Sequence, residues 1–121
     1  MAEKNETGKF GEHVARQYLE KKGYKVLATN WRFHRFELDI IATNSKELII
    51  VEVKTRSNNY LLAPETAVDG RKINRIVVAS DAYARKHKNN LPVRFDLLCL
   101  IKKGDEFDIE HIEDAFFAPM R

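Results

Sequence analysis

Two strand-like runs, Glu37–Thr43 and Glu47–Thr55, flank the turn-forming residues Asn44-Ser45-Lys46. This hairpin pattern constrains the fold more than any other feature, because the length of a hairpin loop fixes which residues face one another. Side chains alternate between the two faces of a strand. In the second run, Leu48, Ile50, Glu52 and Lys54 therefore share a face, and in the first run Glu37, Asp39 and Ile41 do. A two- or four-residue loop centred between Ser45 and Lys46 sets Asp39 opposite Glu52 and Glu37 opposite Lys54. Directly opposed residues have Cβ atoms ~5 Å apart. Three carboxylates and one ammonium then gather at one end of an otherwise apolar hairpin.

Two carboxylates that close repel unless a positive charge lies between them. A divalent cation meets that need. Mg²⁺ is held by one or two carboxylates plus waters and substrate phosphate, and Mn²⁺ is the alternative. Asp39 and Glu52 are the expected ligands, the carbonyl of Val53 offers a third, and Glu37 is an auxiliary acid. Lys54 is placed either to orient or deprotonate a water, or to stabilise charge developing on a phosphorane. Metal, carboxylates and lysine together suit phosphodiester hydrolysis. The competing reading is a solvated edge pair. Against it, Ile49-Ile50-Val51 directly precedes Glu52, and a charge at the end of a buried strand is costly without a partner or a use.

The rest of the chain supplies a frame for this hairpin. Phe10, Val14, Ala15, Tyr18 and Leu19 recur at helical spacing over Gly8–Lys22, with Gly23 as the stop. Tyr24–Asn30 reads as a strand, Arg32–Arg35 as a basic connection and Ser57–Pro64 as a polar loop. Ile73, Ile76, Val77, Ser80, Tyr83 and Ala84 mark a second helix over Gly70–Lys88. Val93–Ile101 and Phe107–Ile112 are two further strands around the turn Lys103-Gly104-Asp105. The order α-β-β-β-α-β-β predicts an α/β fold, a mixed central sheet flanked by helices. The 121 residues fit one domain, read as 8–121 behind a mobile N-terminal tail, 1–7.

Within Asp39…Glu52-Val53-Lys54 the residues resemble the PD-(D/E)xK signature of restriction-endonuclease-like nucleases, and the element order looks like that fold's core, including the archaeal Holliday-junction resolvases. More closely, the chain resembles the YraN-like family of small bacterial proteins, predicted nucleases. The matching words are Gly8-x-x-Gly11-Glu12, Asn30-Trp31-Arg32, Glu37-x-Asp39-x-Ile41, Glu52-Val53-Lys54-Thr55-Arg56 and Phe95-Asp96, across Gly8–Ile112. The resemblance implies Asp39 and Glu52 as metal ligands, Lys54 as the catalytic lysine and Glu12 as a further acid from the first helix. It also implies an endonuclease acting on DNA, with branched or junction DNA as the substrate and a homodimer if two strands are cut symmetrically. Two departures stand out: Leu38 occupies the place of the signature proline, and Phe36 stands where the family usually has Gly.

Glu12 lies ~200° around the helix from Phe10, at the edge of the apolar arc rather than on its far side. That position suits either an active-site acid or a boundary glutamate favoured by the helix dipole. Basic residues recur near the hairpin end, at Arg32, Arg35, Arg56, Lys72 and Arg75, as candidate nucleic-acid contacts. The net charge of +3 agrees weakly with a polyanionic partner. Trp31 reads as structural, Cys99 as a core residue, and Phe116 and Phe117 as either a core cap or a dimer contact. A single cysteine excludes an internal disulfide and suits a cytoplasmic protein, and no apolar run is long enough to span a membrane. The alternative to a nuclease is a non-catalytic nucleic-acid-binding or adaptor protein on the same fold, and a nuclease awaiting an unidentified protein partner is a third possibility.

Overall fold

The computed structural model describes the backbone of residues 2–57 and 70–116, and the side chains of residues 10–56 and 70–116. The elements follow the expected order: α1 (Ala2–Lys21), β1 (Lys25–Phe33), β2 (Phe36–Thr43), β3 (Leu48–Ser57), α2 (Gly70–Lys86), β4 (Val93–Lys103) and β5 (Glu106–Ile112). The strands form one sheet in the order β1-β2-β3-β4-β5, and only β3 and β4 run parallel, joined through α2. This mixed sheet with a helix on each face is the restriction-endonuclease-like arrangement. Among the described residues, no helix is long and apolar enough to cross a membrane.

Helix α1 starts at Ala2 and so takes in the stretch that composition reads as a tail. It ends where Gly23 adopts a φ of 97°. The amide of Tyr24 then donates to the carbonyl of Leu19, and that of Gly23 to Glu20, closing the last turn as a glycine C-cap does. Strand β1 is longer than expected and carries Trp31 and Arg32.

The two helices bury separate cores. On the α1 side, Ala15 and Leu19 pack with Ile40, Ala42, Ile49, Val51, Leu98 and Leu100. On the α2 side, Ile76, Ala79 and Tyr83 pack with Leu38, Ile41, Leu48, Ile50, Phe95 and Leu97. Strand β3 is covered on both faces, which explains its unbroken run Leu48–Val51. Trp31 has the structural role expected, edge-on to Tyr83 at 5.2 Å. Phe116 caps this core by stacking on Phe95, and Cys99 is buried. Phe117 and residues 58–64 of the polar loop lie outside the described residues.

The close approach of α1 to the sheet depends on Gly11. A Cβ there would sit 2.7 Å from Oγ1 of Thr55 on β3. With Thr55 in place, a methyl at position 11 would force the helix or the Thr55 side chain to shift.

The hairpin has a four-residue turn. Thr43 pairs with Leu48, and the side chain of Asn44 accepts hydrogen bonds from the amides of Lys46 and Glu47 at 3.0 and 2.8 Å. The register is the one expected from a loop centred between Ser45 and Lys46, with Ile41 opposite Ile50 and Ile40 opposite Val51. There the β2–β3 ladder stops.

Candidate active site

The end of that ladder creates the site. Leu38 belongs to the α2-side core and Ile40 to the α1-side core. Residues two apart on a regular strand share a face, so the pleat of β2 breaks at Asp39. On β1, Asn30 has a φ of 50° and lies between the pairs Thr29↔Ile40 and Trp31↔Leu38. The two strands are thus irregular at the same level. Freed from the ladder, Asp39 turns its carboxylate toward β3, and its Oδ2 accepts the amide hydrogen of Val53 at 2.8 Å.

Glu52 comes from β3 on the α2 side, the face it shares with Leu48 and Ile50, and is only 5% exposed. It hydrogen-bonds Asp39. Burial, then the hydrogen bond and the charge of Glu52, push the Asp39 carboxyl up to about 8. At neutral pH the Asp39 carboxyl therefore keeps its proton.

Two lysines complete the cluster. The Nζ of Lys72, in the first turn of α2, lies 3.3 Å from Oε2 of Glu52. Burial works against the Lys72 charge, but contacts with Lys54, Glu52 and Asp39 outweigh it and hold the ammonium above its ordinary range. Lys54 moves the other way: burial, then the neighbouring Lys72, lower it. Asp39, Glu52 and Lys72 line an open pocket of about 250 Å³ together with Arg35, Glu37 and Arg75.

The remaining sequence candidates divide. Glu37 is not opposite Lys54, because the strands have parted before that level. It pairs instead with Arg32 at 3.4 Å, across β1, while still lining the pocket. Glu12 accepts a hydrogen bond from Nδ2 of Asn30 at 2.8 Å, which places it beside the irregularity opposite Asp39 and outside the pocket lining. Arg56 donates to the Thr55 carbonyl. Of the five basic candidates, Arg35, Lys72 and Arg75 reach the pocket wall.

Sequence reasoning treated Lys72 as a phosphate contact and missed its pairing with Glu52. It also missed a second polar cluster at the start of β4. Asp96 is fully buried. Arg94 clasps it with Nε on Oδ1 and Nη2 on Oδ2, both at 2.8 Å. His111 Nε2 approaches Oδ2 at 2.7 Å, and the Asp114 amide donates to Oδ1. Burial opposes the Asp96 charge, but His111, Arg94 and the Asp114 amide outweigh it and hold the carboxyl below its ordinary range. Arg94-x-Asp96 on one face of an apolar strand was the available signal.

The residues present suit a hard divalent cation. No three His, Cys, Asp or Glu side chains converge among the described residues, so a zinc-type cage is absent there. Two neighbouring carboxyl groups are a donor set that Mg²⁺ or Mn²⁺ takes together with water and phosphate oxygens. The N–H and C=O of one residue project to the same side of a strand, so the Val53 carbonyl faces the same edge as Asp39.

The comparison that bears on kinship matches residues 11–100 to the family described as "Uncharacterised protein family UPF0102". The chain belongs to the UPF0102 family. A UPF0102 protein of Parabacteroides distasonis is 60% identical over 121 residues, covering all of both chains. One from Bacteroides thetaiotaomicron is 51% identical over 120 residues, 99% of each. One from Flavobacterium psychrophilum is 46% identical over 117 residues, 97% of this chain and 98% of the relative. The UPF0102 match, residues 11–100, takes in Glu12, Asp39, Glu52, Lys54 and Lys72.

Proposed function

We propose that the chain is a Mg²⁺- or Mn²⁺-dependent endonuclease that hydrolyses phosphodiester bonds in DNA, including branched DNA. The observation that carries this reading is the buried Glu52 with the half-buried Asp39 against it at the parted end of the hairpin, beside Lys54. Asp39, Glu52 and the Val53 carbonyl would hold the cation. When bound, it supplies positive charge to the phosphoryl oxygens and lowers the pKa of a water. Lys54, its proton loosened by burial and by Lys72, orients the attacking water or takes its proton. Arg35 and Arg75 at the pocket wall hold flanking phosphates. A homodimer is the expected state if both strands of a junction are cut.

The second reading is a nucleic-acid-binding adaptor, favoured by the basic residues around the pocket. Acids facing a polyanion, Glu52 among them buried, count against it, because they weaken phosphate binding and cost desolvation. Thermal unfolding separates the two. Mn²⁺ at about 100 times its Kd stabilises a one-site protein by ~2.7 kcal/mol. The nuclease reading expects such a shift in the wild type and its loss in Asp39→Ala. An adaptor shows no Mn²⁺ shift, and its DNA affinity is unchanged or improved by the same substitution.

A further inference from the structure

The position of Lys72 is unusual for a lysine. It lies in the first turn of α2, which contains no acidic residue and carries Arg71 as well. Cations there oppose the helix dipole. Its ammonium is nevertheless 3.3 Å from a Glu52 oxygen that is buried, while its own side chain is 39% exposed. One partner is fixed in the wall and the other can swing into solvent. The ion pair also forms on the oxygen pair where a metal is expected.

We propose that Lys72 is the resident counter-ion of the Asp39–Glu52 pair, occupying the cation's place on Glu52 until a divalent metal displaces it into the pocket. The inference rests on the metal site argued above. A lysine in this place balances the buried Glu52 charge in the metal-free protein. It also sets a threshold for metal entry, because each metal bound must break an ion pair. Once displaced, the ammonium lies beside Arg35 and Arg75, where it faces substrate phosphate.

Isothermal titration of the full chain with MnCl₂ tests this without any cleavage step. Removing the competitor in Lys72→Met should tighten Mn²⁺ binding by about tenfold, the worth of one partly buried ion pair. Lys72→Arg keeps the charge and should stay within about twofold of wild type. Arg75→Gln removes a positive charge from the same pocket without touching Glu52, and should also change affinity by less than about twofold. A thermal scan of each variant confirms folding, and Lys72→Gln replaces Lys72→Met if the latter does not fold. Mn²⁺ affinity unchanged or weakened in Lys72→Met, with binding still lost in Asp39→Asn, overturns the counter-ion role and leaves the metal site standing. Equal tightening in Arg75→Gln overturns it too, since the effect is then the general field. Absence of Mn²⁺ binding in the wild type overturns both the counter-ion role and the metal site.

Discussion

Oδ2 of Asp39 accepts the amide hydrogen of Val53, at 2.8 Å, directly after Glu52 in the chain. A side chain here takes over a backbone bond that a regular hairpin would have made across the ladder. The consequence is chemical: the break frees the Val53 amide for Asp39 and holds the half-buried Asp39 carboxyl against the buried Glu52. Fold and site therefore share one cause, the loss of pleat at Asp39.

Metal-free stability should fall with rising pH through this group. The folded carboxyl is raised to about 8 from an ordinary 3.8, so the unfolded chain releases the proton first. The stabilisation that Asp39 contributes is complete below about pH 4 and is lost progressively as pH rises to about 8. Asp39→Asn should flatten that slope and stabilise the protein at pH 8–9 by about 1–3 kcal/mol. Urea denaturation across pH 5–9 in EDTA reads it, and a parallel slope in the variant contradicts it.

Asp96 should act in the opposite sense. Its carboxyl is held low by His111, Arg94 and the Asp114 amide against burial. Its contribution is present above about pH 4 and disappears as pH falls through its folded value. Arg94→Met leaves a fully buried carboxylate with half its partners and should cost about 3–5 kcal/mol. Mn²⁺ affinity of the folded variant should be unchanged, since the cluster lies on the face away from Glu52.

Gly11→Ala should cost about 1–3 kcal/mol, because the new methyl meets Thr55 Oγ1 at 2.7 Å. Thr55→Ala in the same chain removes that atom and should recover most of the loss. A double-mutant cycle with near-zero coupling would show that the helix does not depend on this approach.

Much of this was legible beforehand because it rests on local spacing. Asn44-Ser45-Lys46 fixes the register as far as Ile40 opposite Val51, which leaves Asp39 and Glu52 next in line on the two strands. The break at Asp39 was not legible, since Leu38, Ile40 and Ile41 are all apolar and hide the change of face. For that reason Glu37 was expected opposite Lys54 and is found against Arg32. The Lys72–Glu52 pair depends on how the first turn of α2 docks, which no spacing within the helix encodes. The Arg94–Asp96–His111 cluster joins positions far apart in the chain, with Tyr24 as a further partner of Arg94.

Lys54→Ala should leave Mn²⁺ binding within about threefold of wild type while lowering any cleavage rate by ~10²-fold or more, as expected for loss of a proton-transfer group. A variant that loses metal and cleavage together would make Lys54 a structural member of the site.

The most direct measurement is cleavage of labelled single-stranded, duplex, flap and four-way-junction DNA, with matched RNA, in Mg²⁺, Mn²⁺ or EDTA. Wild type is compared with Asp39→Ala and Lys54→Ala. The account predicts cutting of DNA that requires metal and is abolished in both variants. DNA binding that persists in all three proteins, with no cutting in any metal, would contradict it.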